Sequence, residues 1–174
     1  MDFKSEFSLE NKVIIVTGGT GILGEAFING ITQAGGSVGV LGRNEKVADE
    51  RVAAIKHAVG KGISLIADVT NEEQLIKAKE KIIDAYGKID GLVNAAGGNM
   101  PGAIVVGEKT IFNVAEDAFR QVFDLNLVGT LLPSQVFGAA MAGIVPGQPA
   151  HTAQGCIVNI SSMAAQRAMT RVVG

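Results

Sequence analysis

Disulfide chemistry is almost absent from this sequence, because its 174 residues include a single cysteine. One cysteine cannot form a disulfide within the chain. Cys156 is followed by Ile157 and Val158, and this apolar context predicts a small buried core residue rather than a reactive thiol. We therefore expect no internal disulfide.

An excess of either charge is also missing. Fifteen Lys and Arg residues against 17 Asp and Glu residues give a net charge of −2. No segment gathers the basic residues into a stripe that could neutralise a phosphate backbone. Nucleic acid is therefore not an expected partner, and we predict no metal site.

Long apolar runs are missing as well. No run approaches the roughly 20 residues that a membrane helix needs. The first residues, MDFKSEFSLENK, are too acidic and polar for a signal peptide. We therefore expect a cytoplasmic protein that does not enter a membrane.

Apolar residues and glycine are what the sequence does contain. Hydrophobic residues make up 47% of the chain, which suffices for one compact core, and the length is too short for two ordinary domains. The 23 glycines stand mostly at the ends of apolar runs, where they mark turns. We expect residues 1–174 to belong to one domain.

Short β-branched runs recur along the chain and predict five strands. Their near-continuous apolarity, without alternation of apolar and polar residues, is typical of strands covered on both faces. The runs are KVIIVTG at 12–18, SVGVLGR at 37–43, GISLIAD at 62–68, IDGLVNAAG at 89–97 and GCIVNIS at 155–161.

Apolar residues at helical spacing fill the intervals between these runs. The pattern covers 22–34, 45–59, 71–86 and 114–141. In the first helix the apolar set includes Ile22 and Leu23, and Asn71 is placed to cap the third. Gly129 and Pro133 should bend or interrupt the long fourth stretch.

The alternation of strand and helix predicts an α/β fold, a doubly wound parallel sheet with right-handed crossovers. Two segments interrupt the alternation, at 98–113 and 142–155. The first leaves the carboxyl end of the fourth strand, where open α/β sheets bind ligands. The second enters at the opposite end, and we expect it to be a surface loop.

A glycine-rich turn, TGGTGILG at 17–24, follows the first strand. It contains Gly19-x-Gly21-x-x-Gly24, and the same letters also give Gly18-x-x-Gly21-x-x-Gly24. Glycines allow a sharp turn and a close approach of phosphate to the backbone, and the helix that follows offers free N–H groups to a pyrophosphate. The turn therefore predicts dinucleotide binding, with a merely tight turn as the alternative.

The end of the second strand indicates which nicotinamide cofactor binds. A carboxylate there would accept hydrogen bonds from the ribose hydroxyls of NAD, but the stretch VLGRN places Arg43 at that point. A guanidinium can make bidentate bonds to a 2′-phosphate. NADP is therefore favoured over NAD, unless Arg43 is only a solvated surface charge.

Five motifs follow one another along the chain: TGGTGILG, ADV at 67–69, NAAG at 94–97, FDLNLVGT at 123–130 and IVNISS at 157–162. In this order they resemble the motifs of the short-chain dehydrogenase/reductase family. The resemblance implies a Rossmann fold with strand order 3-2-1-4-5-6-7, in a homotetramer. Most members of this length carry their second glycine one place later, where this chain has Ile22, so the spacing is similar to that of the longer branch.

The resemblance also implies the cofactor contacts. Asp68 would bind the adenine amino group, with the Val69 backbone beside the ring, and Thr17 would brace the turn after the fourth strand. The full predicted cofactor set is Thr17, Gly18, Gly19, Thr20, Gly21, Ile22, Gly24, Arg43, Asp68, Val69, Asn94, Ala95, Ala96 and Gly97. As alternatives, Asp68 caps the next helix, and NAAG is only a strand end of small residues.

Ser162 and Asn126 match two of the catalytic residues of this family. Reduction of a ketone by hydride leaves negative charge on the oxygen, so the site needs a proton donor and a second hydrogen-bond donor. The resemblance implies that Ser162 holds this oxygen and that Asn126 organises a water relay. The family's tyrosine and lysine are absent, and the tyrosine would stand at the first position after Gly174. Tyr86, the only tyrosine, precedes the fourth strand and is read as a packing residue.

Within the family, the stretches AAGGNMPGA, VFDLNLVGTLLPSQVFG and NISSMAAQRAMTR are similar to the D-mannonate oxidoreductase (fructuronate reductase) group. Arg167 and Arg171 could capture a substrate carboxylate, and Asn99 a hydroxyl; surface arginine is the alternative for each. Two further hypotheses remain open. One is a 3-oxoacyl thioester reductase of the same family, and the other is a non-catalytic nucleotide-binding module.

Overall fold

Five parallel strands form one sheet in the computed structural model, which describes residues 6–144 and 155–163. The strands are β1 (Val13–Val16), β2 (Ser37–Gly42), β3 (Lys61–Ile66), β4 (Gly91–Asn94) and β5 (Cys156–Asn159). Their order in the sheet is β3-β2-β1-β4-β5, and every neighbouring pair is parallel. The predicted α/β class and the predicted order of these five strands are confirmed.

Helices cover both faces of the sheet. They are α1 (Ile22–Gln33), α2 (Glu45–His57), α3 (Glu72–Tyr86), α4 (Glu116–Phe123) and α5 (Gly129–Met141). The Asn71 side chain accepts a hydrogen bond from the N–H of Gln74 at 3.1 Å, which confirms it as the cap of α3. No described helix is both long enough and apolar enough to cross a membrane.

The long fourth helical stretch is interrupted, but not where the sequence predicts. A π-helical turn over Asp124–Val128 separates α4 from α5, whereas Pro133 lies inside α5. The side chain of Asn126 donates a hydrogen bond to the carbonyl oxygen of Val122 at 2.8 Å. A side chain that binds a helix carbonyl in this way stabilises a break in the α-helical ladder, so the interruption precedes both predicted residues.

Two apolar layers sandwich the sheet. One packs α3 and α5 against it and includes Ile15, Leu65, Leu75, Ile82, Leu92 and Phe137. The other packs α1 and α2 against it and includes Val16, Ile28, Val38, Val40, Val52 and Ile55. All six residues of β2 are buried, as expected for the strand between β3 and β1. Each large apolar side chain buried in this way contributes about 1.5–3 kcal/mol.

One prediction of burial is wrong, that of Cys156. In α1, Gly24, Ile28 and Ile31 form the buried side, and Ile22 and Leu23 of the predicted apolar set are 90% and 62% exposed. Cys156 is exposed rather than buried, because no described helix covers the side of the sheet where it borders an open apolar cavity of about 520 Å³. The whole of β5 is exposed.

Asp90 joins the start of β4 to the start of β1. One carboxylate oxygen accepts a hydrogen bond from the N–H of Val13 at 2.8 Å, and Lys88 and Lys12 lie 3.0 Å and 3.6 Å away. Burial raises the pKa of Asp90, but these hydrogen bonds and positive charges outweigh it and hold the pKa below its usual range. The ionised carboxylate is therefore the form that the fold stabilises.

Replacing Asp90 by Asn should lower the free energy of unfolding at pH 7 by about 1–3 kcal/mol. A carboxyl group whose pKa is lower in the folded state stabilises the fold above its unfolded pKa of about 3.9, and this contribution is lost as the pH falls through the folded pKa. Urea unfolding between pH 7 and pH 3 should show the difference shrinking below about pH 4. Asp84→Asn, at an exposed position of α3, is the control, and a constant difference at all pH values would contradict the prediction.

Candidate functional site

A cleft lies where the carboxyl ends of the parallel strands meet. Parallel strands place all their carboxyl ends at one edge of the sheet, and ligands bind there. The cavity at this edge has a volume of about 250 Å³. Its lining comprises Gly18, Thr20, Gly21, Gly42, Arg43, Ala67, Asp68, Val69, Ala95, Ala96, Gly97 and Leu125. Nine of these belong to the predicted cofactor set, so the structure brings most of that set together.

The glycines of the turn are required by close backbone contacts. Gly18 has φ +63°, and a Cβ added there would lie 2.8 Å from the carbonyl oxygen of Ala95. A Cβ at Gly24 would lie 2.8 Å from the Cα of Gly19. The first contact brings the turn after β1 against the turn after β4, and the second brings α1 close to its own turn. Side chains at these positions would separate the parts that form the cleft.

The amino end of α1 faces the cleft without a side-chain cap. Gly21 occupies the N-cap position and supplies no side-chain hydrogen bond. The first N–H groups of an α-helix have no intrahelical partner, and the helix dipole makes this end positive. Gly21 and Thr20 both line the cavity. The arrangement therefore suits an anionic group, phosphate above all.

Thr17 fixes the turn after β4, as the resemblance predicts. The fully buried Thr17 hydroxyl accepts hydrogen bonds from the N–H groups of Ala95 and Ala96 at 3.0 Å and 3.1 Å. One side chain from β1 therefore satisfies two consecutive amides beyond β4. This holds the Ala95–Gly97 wall of the cleft at a constant distance from the glycine turn.

Asn94 does not line the cavity, although it belongs to the predicted set. It is buried, and its side-chain amide donates hydrogen bonds to Ser134 of α5 and to Asn159 of β5, each at 2.9 Å. Its Oδ1 has no hydrogen-bond partner within the described ranges. The observed contacts of Asn94 connect β4, β5 and α5, and its contact with a cofactor stays a prediction.

Asp68 and Arg43 form the adjacent wall. They form an ion pair with 3.5 Å between Arg43 Nη1 and Asp68 Oδ2, and Asp68 Oδ1 accepts hydrogen bonds from the N–H and hydroxyl of Thr70. Burial raises the pKa of Asp68, but the Thr70 hydrogen bonds and the Arg43 charge lower it below its usual range. Asn71 caps α3, so the alternative that Asp68 is the cap is wrong.

Arg43 also borders a second, more open cavity. This cavity has a volume of about 590 Å³ and is lined by Thr20, Arg43, Asn44, Glu45 and Lys46. It shares Thr20 and Arg43 with the first cavity. Two cationic residues and one hydroxyl residue therefore border a space beside the predicted adenosine end of the cleft and could bind a further anion, against the opposing charge of Glu45.

Asn126 joins the π-helical turn to the loop after β4. Its Nδ2 donates a hydrogen bond to the carbonyl oxygen of Gly98 at 2.8 Å, and its Oδ1 accepts one from the N–H of Gly98 at 3.0 Å. A Cβ at Gly97 would lie 2.7 Å from Asn126 Oδ1. Isolated π-helical turns are frequent at functional sites. The predicted catalytic asparagine is therefore fixed at the edge of the cleft.

The other predicted residues are less well placed. Ser162 follows β5 and is exposed, and Asn99 is exposed in the loop after β4. Arg167 and Arg171 lie outside the described residues. Tyr86 ends α3 at the amino edge of the sheet and packs against the core, where burial raises its pKa. The interpretation of Tyr86 as a packing residue is confirmed.

Arg51 is a contact of the glycine turn that sequence reasoning missed. It lies in α2 and donates hydrogen bonds to the carbonyl oxygens of Gly19 and Gly21. An arginine in the middle of a polar helix carries no local sequence signal of this kind. The contact depends on how α2 packs beside α1, so only the three-dimensional structure reveals it.

Comparison with known proteins relates this site to one family. Residues 12–173 match the family model described as short chain dehydrogenase. An uncharacterized oxidoreductase of Bacillus subtilis, UxuB, is 35% identical over 173 residues, which cover 95% of this chain and 59% of the relative. The match thus extends over nearly all of the motifs described above.

Two solved structures are similar to the described fold. One, from Haemophilus influenzae and provisionally assigned as a D-mannonate oxidoreductase with bound NAD, gives a TM-score of 0.85 at 31% identity, covering 98% of this chain and 62% of that one. An NAD⁺-bound xylitol dehydrogenase gives 0.81 at 26% identity, covering 94% and 58%. This chain therefore spans about three-fifths of the length of each of these proteins.

Proposed function

Because the chain belongs to the short chain dehydrogenase family, we propose that the whole protein is an oxidoreductase that uses NADP(H) or NAD(H). Its substrate would be the keto or hydroxy group of a sugar acid of the D-mannonate or D-fructuronate type. We take residues 1–174 as part of a single nucleotide-binding domain that continues beyond this chain. The observation that carries the proposal is the cleft between the glycine turn and the turn after β4.

The residues of the cleft fit a nicotinamide dinucleotide. Backbone contacts at Gly18 leave no room for a Cβ, and the uncapped end of α1 offers N–H groups to a pyrophosphate. Asp68, whose pKa is held below its usual range, would accept a hydrogen bond from the adenine amino group. Two of the similar solved structures contain NAD, which supports the same class of cofactor here.

Two residues beyond the lining of the cleft, Ser162 and Asn126, are proposed to carry the chemistry. The cofactor, when bound, supplies or accepts a hydride. Ser162 would hold the substrate oxygen as a hydrogen-bond donor, and Asn126 would position a water for the proton relay. Asn126 already forms three hydrogen bonds that fix its side chain. The family's tyrosine, which donates the proton, and its lysine, which lowers the pKa of that tyrosine, are expected in the part of the protein after Gly174.

The sugar-acid substrate is supported by two independent features. One solved relative carries the provisional name of a D-mannonate oxidoreductase. Arg167 and Arg171 follow Ser162 closely in sequence and could bind a carboxylate in a bidentate manner. A 3-oxoacyl thioester reductase would use an apolar channel instead, and a nucleotide-binding module would turn over neither substrate.

The whole protein should oxidise NADPH or NADH with D-fructuronate at least about tenfold more efficiently than with acetoacetyl thioesters, a difference of 1.4 kcal/mol. Arg167→Ala and Arg171→Ala should raise KM for the acid more than for its uncharged amide, because only the acid loses an ion pair. Oxidation of NAD(P)H, followed by absorbance at 340 nm, gives both the substrate preference and the KM values. Arg120→Ala, on the exposed surface of α4, is the control. Preferential turnover of the thioester, or cofactor binding without turnover of any substrate, would contradict the proposal.

We propose NADP as the preferred cofactor, with NAD as the alternative. Arg43 and Lys46 both face the open cavity beside Asp68, where a 2′-phosphate would be close to two positive charges. The NAD found in two similar structures and the existing ion pair between Arg43 and Asp68 favour the alternative. The preference between NADP and NAD therefore depends on whether Arg43 binds Asp68 alone or the 2′-phosphate as well.

Arg43→Ala should separate these two cofactors. A charge-assisted hydrogen bond contributes about 1.5–3 kcal/mol, so KM for NADP(H) should rise about 10- to 100-fold, whereas KM for NAD(H) should change by less than about threefold. Steady-state kinetics with both cofactors measures the effect, again with Arg120→Ala as the control. Equal losses with both cofactors would mean that Arg43 acts through Asp68 rather than on the 2′-phosphate.

The cytoplasmic location of the protein stays a prediction.

We also propose that the whole protein is a homotetramer. Phe123, Leu127 and Leu131, spaced four residues apart, are 51%, 61% and 51% exposed. Exposed apolar side chains clustered in this way are typical of protein interfaces. Leu127→Glu should therefore convert the tetramer to smaller species in sedimentation velocity, whereas Lys77→Glu on α3 should not. A monomeric unmodified protein would overturn the proposal.

A further inference from the structure

The guanidinium of Arg51 contacts the glycine turn from the side of α2. Its Nη1 donates hydrogen bonds to the carbonyl oxygens of Gly19 and Gly21, the latter at 2.8 Å. Its Nη2 donates to the carboxylate of Glu25 at 3.2 Å. The Arg51 side chain is only 15% exposed, and that of Glu25 is 57% exposed. One largely buried cation therefore bonds to two carbonyls of the turn and to the first turn of α1.

These bonds determine the direction of two amide groups. None of the described peptide bonds is cis, and in a trans peptide unit the C=O of one residue and the N–H of the next point in opposite directions. Arg51 holds the C=O of Gly19 toward itself. It also binds the C=O of Gly21, which accepts the N–H of Glu25 at 3.1 Å as well, so α1 and Arg51 together fix that second group. The N–H groups of Thr20 and Ile22 are therefore directed to the opposite side of the turn.

Among the described residues, neither of these two N–H groups has a backbone hydrogen-bond partner. Ile22 is the first residue of α1, so its N–H has no partner within the helix. The backbone hydrogen bonds of the turn use the N–H groups of Gly19 and Gly21, and not that of Thr20. Thr20 and Gly21 line the cleft. Arg51 thus lies behind a pair of donors that point away from it.

We propose that Arg51 is a positioning residue for the cofactor. It fixes the peptide units of the glycine turn so that the N–H groups of Thr20 and Ile22 bind the pyrophosphate. The inference rests on the proposed function, because it requires a dinucleotide in the cleft. Arg51 differs from Arg43 in that it serves the pyrophosphate, which NAD and NADP share, and not the 2′-phosphate.

Only arginine can make this set of contacts. Its planar guanidinium presents five N–H donors in a fixed fork, so it can bond two carbonyls and a carboxylate at once. Lysine would keep the charge, but its three donors share one nitrogen and do not form a planar fork. Glutamine would keep one amide donor group and lose the charge. Comparing arginine, lysine and glutamine at position 51 therefore distinguishes two roles of the side chain. One is to orient the peptide units of the glycine turn, and the other is only to attract the negative charge of the ligand.

The test compares ADP-ribose, which contains the pyrophosphate, with adenosine, which does not. In the whole protein, Arg51→Gln should weaken ADP-ribose binding about 10- to 100-fold, the cost of a small misplacement of binding groups. Adenosine binding should change by less than about twofold. KM should rise equally for NAD(H) and NADP(H), while kcat and KM for the second substrate stay unchanged, as expected when uniform binding is lost. Arg51→Lys should recover only part of the affinity.

Several results would overturn the inference. They are unchanged ADP-ribose binding by folded Arg51→Gln, an equal loss of adenosine binding, or full recovery in Arg51→Lys. Arg120→Gln, whose arginine pairs only with the exposed Glu116 one turn away among the described residues, should bind ADP-ribose normally. Failure of the unmodified protein to bind ADP-ribose would instead reject the proposed function itself. The two failures are therefore distinguishable.

A measurement on the unmodified protein applies even where the Arg51 variants do not fold. In ¹⁵N-labelled whole protein, ADP-ribose should shift the amide resonances of Thr20 and Ile22, and adenosine should leave them nearly unchanged. The N–H of Gly19, which donates to the carbonyl oxygen of Leu41 at 2.8 Å, is the internal reference. Equal shifts with adenosine, or none with ADP-ribose when it binds, would contradict the inference.

Discussion

The close approach of two backbone turns, one after β1 and one after β4, is the constraint on which the cleft depends. Gly18 allows the approach because a side chain there would collide with Ala95 and Ala96. Thr17 fixes it by accepting hydrogen bonds from the N–H groups of the same two residues. Steric contact at Gly18 sets the minimum distance between the two turns, and the hydrogen bonds of Thr17 set the maximum distance. The wall of the cleft at this point is therefore formed by main chain, which accounts for the small residues found there.

The remaining parts of the site are attached to these two turns by single polar side chains. Asn126 bonds the π-helical turn to Gly98, just beyond the β4 turn, and Arg51 bonds α2 to the β1 turn. Asn94 connects β4 to β5 and α5. Each such contact joins elements that are distant in sequence. The apolar core stabilises the sheet, while these polar contacts determine the relative positions of the loops at its edge.

Much of the fold could be predicted because its determinants are local. Continuous β-branched runs identify buried parallel strands, and Asn71 caps a helix through an atom three residues away. The glycine turn is likewise visible because the backbone itself requires glycine. Other features depend on contacts between elements. The exposure of Cys156 depends on what covers β5, the π-helical turn depends on the partner of Asn126, and the role of Arg51 depends on the packing of α2 against α1. No local pattern contains that information.

The contrast between Arg43 and Arg51 shows how one kind of side chain can serve binding in two ways. Arg43 is 75% exposed, so it can turn between Asp68 and a ligand, and solvent screens its charge. Arg51 is largely buried, and its donors are already bonded to the protein. An exposed arginine can discriminate between ligands because its contacts are exchangeable. A buried one cannot discriminate in this way, but it can hold the backbone in one conformation, and under the proposed function that conformation would serve NAD and NADP alike.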